Sequence, residues 1–392
     1  MRIAITGATG FIGSELVREL LLDSSVEKLY LLIRPHTGAA PADRWEKVLS
    51  HWKKFAPTVP SDLSKIEIIE CDLEKPGVED TVVPVFDYFI HSAASTDFHL
   101  PLGVARTLNL HTTQRAAEIA RKSPLLKRFV YMSTAFVSGA SAGHISEDFI
   151  PNRFSNTYEK TKMEAEGCVR SSGLPWTILR PSIVVGHSEN GYVWRMKVIY
   201  SVTKIWVRGF VTRAPMDREA LADVVPVDFV TMAAISLMKS NLTLGRSFHL
   251  CSGKKAPRSF DILMCAAKAF GIKNPKTSPL WYARVLAKLP SPKLLIGERL
   301  ASILDAMQWH LPYLGTRDRE FDTIAADDIL KTAGISCPDF SHYGRILFEY
   351  CRKTQWGRRP LRSPAKHLLD EVVGVQTLSN DLNESERNLV YN

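Results

Sequence analysis

The chain has little that would make it a secreted, metal-bound or membrane-spanning protein. Its six cysteines, at 71, 168, 251, 265, 337 and 351, are scattered through 392 residues, and no Cys-x-x-Cys pair occurs. That spacing suggests neither a zinc site nor a disulfide framework, so no metal is expected and free thiols in a reducing compartment are. No run reaches the ~18–20 apolar residues that cross a bilayer. The apolar N-terminal stretch is a strand cut short by glycines, which predicts no signal peptide and a cytoplasmic location. Internal repeats and long low-complexity tracts are absent. The net charge is +9, but the cations are dispersed and no nucleic-acid motif accompanies them. Nucleic acid is therefore set aside as a partner. Phosphate-bearing ligands and acidic carrier proteins fit the basic excess better, with contact at a membrane surface as the other reading. Hydrophobic content of 45% and charged content of 23% are ordinary for a soluble enzyme. The length suffices for a large core and two lobes.

What is present is a regular alternation. Residues 2–6 read as a β-branched strand, and Phe11, Ile12, Leu16, Leu20 and Leu21 carry a helical period over 11–22. Strands follow at Lys28–Arg34, Ile66–Leu73, Tyr88–Ala94, Arg128–Phe136 and from Thr177 to Pro181. Helices are predicted over 42–55, Pro101–Lys122 and 155–172. Strands alternating with helices over about 180 residues predict an α/β fold, a doubly wound parallel sheet of Rossmann type. The core is expected to span 1–186, and a smaller, mostly helical substrate lobe 187–357, with 223–251 returning to the core. Residues 358–392 are expected to be a basic, then polar, tail. Trp194–Arg213 reads as a basic amphipathic helix, and 258–356 as helical with interruptions at prolines.

Gly7, Gly10 and Gly13 follow the first strand directly and open the first helix, with Thr9, Phe11 and Ile12 among them. Glycines there allow a tight turn and let backbone N–H groups approach a pyrophosphate, and the helix N-terminus adds its positive end. A dinucleotide is the expected ligand. The second strand ends at Arg34, with His36 and Arg44 nearby, where an NAD enzyme often has an acid for the ribose hydroxyl. A cation favours a 2′-phosphate, so NADP(H) is the expected cofactor. Asp72, beside Leu73, could meet the adenine or cap its loop. Ala93 and Ala94 are small enough to let the nicotinamide ribose lie against the backbone.

Tyr158 and Lys162 stand at i, i+4 and so share one helix face. Free tyrosine, with a pKa of about 10, is a poor acid at neutral pH. A nearby ammonium and an oxidised nicotinamide would stabilise its phenolate and lower that value. Ser133 and Thr134 leave the fifth strand, where a hydroxyl would meet a substrate oxygen beside Tyr158. Thr134 is the first candidate and Ser133 the second. Asn109, inside the long helix, could hold a kink or a relay water, or only pack.

Together these residues resemble the extended short-chain dehydrogenases. Narrower motifs resemble the fatty acyl-CoA reductase and thioester reductase branch, over about residues 1–250. They are Leu31-Leu32-Ile33-Arg34, Ile90-His91-Ser92-Ala93-Ala94, Leu179-Arg180-Pro181-Ser182-Ile183-Val184-Val185-Gly186 and Asp223-Val224-Val225-Pro226-Val227-Asp228. The resemblance implies NADPH-dependent reduction of an acyl thioester, on CoA or on a carrier-protein phosphopantetheine, to aldehyde or on to alcohol. It implies Thr134, Tyr158 and Lys162 as the catalytic set, Arg34 and Arg44 at the 2′-phosphate, and Pro181 beside the cofactor. No adenylation or carrier domain is recognised in the sequence, so delivery of the substrate by diffusion is expected. The basic helix could line an acyl tunnel or meet CoA phosphates, or only pack on the sheet. Arg358–Lys366 reads as a solvated tail or a membrane-surface contact. Asp228 and Pro226 are expected to start a helix. Two other functions remain open: a dehydrogenase of a ketone or alcohol, such as a hydroxysteroid or nucleotide sugar, and a non-catalytic NADP(H) sensor.

Overall fold

The structure is a computed structural model and describes residues 1–36, 38–209, 213–279 and 317–360. Seven strands form one parallel sheet: β1 (Arg2–Thr6), β2 (Lys28–Ile33), β3 (Ile66–Glu70), β4 (Tyr88–His91), β5 (Arg128–Met132), β7 (Trp176–Pro181) and β11 (Arg246–Leu250). Their spatial order is β11-β7-β5-β4-β1-β2-β3. The chain therefore winds outward from β1 in both directions, and the winding reverses between β1 and β4. Ligands of such sheets bind outside the carboxyl ends of the strands at that reversal.

Both faces of the sheet are covered, so its central strands are apolar almost throughout. In β1, Ile3 and Ile5 belong to one core with Leu16, Leu20 and Phe248, whereas Ala4 between them faces a second core with Phe89, Phe129, Tyr131 and Ile178. This is the period-two alternation of a strand. Helix α1 (Phe11–Leu22) packs beside α7 (Val227–Lys239) on the first face. On the second, α4 (Thr112–Arg121) packs beside α5 (Thr157–Ser171). Helix α2 (Pro41–Phe55) begins with Asp43 accepting from Ala40 N at 3.0 Å and buries Trp45, Val48, Leu49 and Trp52.

The strands are shorter than expected at their carboxyl ends. β2 stops at Ile33, β3 at Glu70, β4 at His91 and β5 at Met132. The residues after each leave the ladder to line a cleft. The long helix expected at Pro101–Lys122 is one continuous rod with a defect: α3 (Leu102–Arg106), a π-helical turn at Thr107–His111, then α4. Asn109 sits in that turn.

Besides its helices, the described part of the second lobe carries short strands. It contains three parallel two-stranded ladders: β6 (Gly143–Ile145) with β13 (Arg319–Phe321), β8 (Ile183–Val185) with β10 (Val224–Pro226), and β9 (Arg213–Pro215) with β12 (Lys276–Ser278). Helices α6 (Ile199–Val207) and α8 (Ser259–Phe270) join Ile324–Thr332 and Phe340–Lys353. The parts of the expected helical region at 280–316 and of the tail at 361–392 lie outside the described residues. Asp228 does stand in the first turn of α7, where its carboxylate accepts from Ser188 N and Oγ.

The expected basic helix at Trp194–Arg213 is corrected. Only Ile199–Val207 is helical, 194–198 is a non-helical strap, and 210–212 lie outside the described residues. Anchoring of Trp194 and a positive φ of 48° at Val198 override the apolar period there. A β-branched residue with positive φ is strained, at a cost of about 1–3 kcal/mol.

Phe89 lies fully buried in β4, stacked on Phe129 at 5.4 Å and tilted against Phe86 at 5.6 Å. Truncation there removes a central filler of the second core. Phe89→Ala should cost about 3–5 kcal/mol in denaturant unfolding, whereas a loss under 1 kcal/mol would show that this core is loosely packed.

Candidate active site

One cleft of about 530 Å³ runs along the carboxyl ends of the sheet. It is lined by the residues expected to bind the cofactor or act on the substrate, Gly7, Thr9, Gly10, Phe11, Ile12, Gly13, Arg34, Arg44, Asp72, Leu73, Ala93, Ala94, Ser133, Thr134, Tyr158, Lys162 and Pro181, but not by His36 or Asn109.

The glycines are required sterically. Gly7 has φ +75°, and a Cβ there would lie 2.6 Å from Ala93 N and the Ser92 carbonyl carbon. A Cβ on Gly13 would run into the Gly7 carbonyl. The turn is thus pressed against β4, and helix α1 against the turn. That leaves the α1 N-terminus and its free N–H groups facing the cleft, which is where a pyrophosphate fits. These residues suit a dinucleotide.

A buried chain of hydrogen bonds fixes the same corner. Thr113 Oγ1 gives its proton to Asn109 O at 2.6 Å, so it can only accept from His91 Nε2 at 3.1 Å. His91 Nδ1 is then bare and accepts from Thr6 Oγ1 at 2.7 Å. Thr6 Oγ1 in turn accepts from Ala93 N at 3.3 Å. Burial first, and the Lys162 charge second, push His91 down to about 3 from the usual 6.5 and keep it neutral. Asn109 extends the link: its amide accepts from Ser95 N at 2.8 Å and donates to Ser95 O and to Thr161 Oγ1 at 3.0 Å. The π turn therefore ties the loop after β4 to α5.

Helix α5 starts with Asn156 accepting from Glu159 N at 3.0 Å, while Glu159 accepts from Ser155 N at 2.7 Å. Tyr158 in its first turn is half-buried beside Phe98, at 5.6 Å between rings, and its phenol lies beside the Thr134 side chain, whose hydroxyl favours the charged form. Burial pushes it up to about 12, against the pull of that hydroxyl. Lys162 Nζ donates to Met132 O at 2.7 Å and lies 4.2 Å over the Tyr131 ring. Burial pulls its ammonium down to about 7, partly offset by Glu166. The expectation that the lysine charge lowers the phenol is not what these side chains do, because Lys162 is turned to a carbonyl and desolvation dominates. Of the two candidate hydroxyls, Thr134 meets Tyr158. Ser133 Oγ is buried and turned toward Glu166, whose charged form it favours, rather than toward Tyr158. Glu166, one turn beyond Lys162, forms a fully buried bidentate pair with Arg180 at 2.6 and 2.9 Å.

At the other end, Arg44 donates to Arg34 O at 2.7 Å and to Thr9 Oγ1 at 3.1 Å. Arg34 itself pairs with Glu74, a residue the sequence reading passed over. Asp72 caps its loop by accepting from Glu74 N at 3.2 Å while lining the cleft. Arg195 and Lys197 of the strap also line it. They were taken for a helix face, and only the tertiary path brings them here. His91 and Glu166 could have been found: the first lies in a quoted motif, the second at the next i+4 step after Lys162.

The sheet, the glycine turn and the Thr–Tyr–Lys cluster define an extended short-chain dehydrogenase/reductase, of the fatty acyl reductase branch. The chain belongs to the Male sterility protein family, whose sequence pattern matches residues 5–234. It is 28% identical to a putative fatty acyl-CoA reductase of Drosophila melanogaster over 71% of this chain and 64% of that one. It is 26% identical to fatty acyl-CoA reductase 1 of Gallus gallus over 67% and 57%. The chain thus spans between half and two thirds of the length of these relatives. Among solved structures, the terminal R domain from the myxalamid PKS-NRPS pathway is 25% identical, with TM-score 0.75 and 92% of each chain covered. UDP-glucuronic acid 4-epimerase from Bacillus cereus, at 20% identity and TM-score 0.64, shares the fold over 91% of this chain and 98% of that one.

Three histidines are held neutral by desolvation: the buried His91 at about 3 and His249 at about 4, and the half-buried His51 at about 4. Their unfolded forms take a proton near 6.5, so each contributes stability that is present above that pH and lost as pH falls toward the folded value. Asp223, held up to about 6 by burial, opposes one of the three. Stability should therefore fall from pH 6.5 to 4.5. His91→Asn should flatten that slope by up to about 1.4 kcal/mol per pH unit. Parallel slopes for the two proteins in denaturant titrations would show that His91 titrates alike folded and unfolded.

Proposed function

We propose that the chain is an NADPH-dependent reductase of acyl thioesters, carried on CoA or on a protein-bound phosphopantetheine. The observation that carries this reading is the Thr134 hydroxyl beside the Tyr158 phenol with Lys162 one helical turn on, all three lining the cleft that begins at the glycine turn. The fatty acyl-CoA reductase relatives support the substrate class. Bound NADPH supplies a hydride to the thioester carbonyl carbon. Thr134 and Tyr158 then hold the oxyanion. A phenol held up to about 12 stays protonated at neutral pH and so remains a donor for that oxygen. Lys162 would take ribose hydroxyls and so orient the ring. Collapse re-forms the carbonyl as an aldehyde and breaks the C–S bond, and the released thiolate takes up a proton. A second hydride would give the alcohol. Arg34 and Arg44 are the residues for the 2′-phosphate, and Ala93, Ala94 and Pro181 for the nicotinamide end.

A second reading has one observation in its favour. The Glu74 carboxylate stands at Arg34, where an NAD enzyme places an acid for the ribose hydroxyls. An NAD(H)-linked ketone or alcohol dehydrogenase would use it.

NADPH and NADH oxidation should be followed with a panel of acyl-CoA esters while released thiol and products are quantified. The expected result is NADPH loss matched by free CoA. Thr134→Val and Tyr158→Phe should each lower kcat by about 10²–10³-fold. Turnover with NADH on ketones and none on thioesters would establish the second reading instead, and full activity of Tyr158→Phe would sink the assigned roles.

A further inference from the structure

Three cations line the adenosine end of the cleft, and they differ in what answers their charge. Arg34 is matched by Glu74. Arg44 directs its donors to a carbonyl and a hydroxyl, and among the described residues no carboxylate pairs with it. Arg195 is exposed, lies within electrostatic reach of Arg44, and likewise has no carboxylate partner among the described residues. Burial first, then Arg34 and Arg195, destabilise the charged form of Arg44. Two uncompensated guanidiniums gathered at one cleft repel each other until an anion joins them, and their planar forks match phosphate oxygens.

The placement of Arg195 is built into the fold. Trp194 Nε1 donates to Thr9 O at 3.2 Å, inside the glycine turn. Its ring meets His51 edge-on at 4.1 Å, and His51 Nδ1 joins the Tyr192 hydroxyl at 3.1 Å. On the other side, the Val198 turn leads the chain into α6. Arg195 is thus held between an anchored tryptophan and a fixed turn, over the loop that Arg44 also touches.

We propose that Arg195, presented by the second lobe, is a phosphate-binding residue of the cofactor site and closes with Arg44 over the 2′-phosphate of the dinucleotide. This rests on the NADPH reading above. The 3′-phosphate of a CoA thioester is the same kind of ribose monoester, so the test separates the two. Binding of adenosine 2′,5′-bisphosphate, adenosine 3′,5′-bisphosphate, NADPH and NADH is measured calorimetrically for the wild type, Arg195→Ala, Arg195→Lys and Arg208→Ala. Arg208 is exposed and lies outside the cleft lining, so its variant controls for net charge. Arg195→Ala should weaken the 2′,5′-bisphosphate and NADPH by about tenfold, the loss of one charge-assisted hydrogen bond. NADH and the 3′,5′-bisphosphate should stay within about twofold. Lysine should restore part of the loss, and Arg208→Ala should change nothing. A selective loss of the 3′,5′-bisphosphate would move Arg195 to the substrate, and unchanged binding throughout would remove it from phosphate recognition. Either result overturns the assignment while leaving the NADPH preference intact. A wild type that binds NADH as tightly as NADPH would instead overturn the cofactor reading, and this assignment with it.

Discussion

The contact on which the rest of the site depends is the approach of the first turn to the end of β4. Gly7 sits so close to Ser92 and Ala93 that no side chain fits between them. The buried Thr6–His91–Thr113 chain locks the two strand ends in that relation. The α1 N-terminus, the small residues after β4 and the Asn109 loop all take their positions from this corner. A neutral histidine serves here because it offers one donor and one acceptor in opposite directions, and both have partners.

Desolvation, more than pairing, sets the electrostatics of the cluster around Tyr158, Lys162 and His91. It raises Tyr158, lowers Lys162 and lowers His91, and in each case the charged form loses water that nearby groups do not replace. Glu166 is the contrast. Its carboxyl stays below the usual range although burial would raise it, because Arg180 meets it with two hydrogen bonds. Removing either partner of such a pair leaves an unanswered buried charge. The back of α5 is therefore rigidly charged, while its cleft face is poised near neutrality.

The second lobe takes part in the cofactor cleft. Trp194 reaches the glycine turn, and Arg195 and Lys197 line the cleft between that anchor and α6. The lobe is also tied to the sheet through His249, whose Nδ1–H donates to Asp322 O at 2.9 Å and whose backbone N–H donates to Glu147 Oε1 at 3.1 Å.

The sequence by itself determined the sheet, the turn and the helix that carries Tyr158 and Lys162. Periods of two and 3.6 decide which faces are buried, and glycines spaced by three decide where a backbone can approach a phosphate. The i, i+4 step likewise places Tyr158 and Lys162 on one face whatever surrounds the helix. All of these are local rules, and they brought every proposed site residue into one cleft. Three matters were left to the tertiary structure. Strand ends were overrun because apolar residues after His91 and Met132 read as ladder when they line a cleft. The strap at 194–198 read as helix because its apolar spacing is helical, yet a tryptophan anchored 185 residues away on Thr9 outweighs that period. The partner of Arg34 and the protonation of Tyr158 were also open, because charge pairing and desolvation depend on which distant segments arrive at the same place. Glu74 stands 40 positions from Arg34 and Arg195 stands 151 positions from Arg44, and only the folded chain brings each pair together.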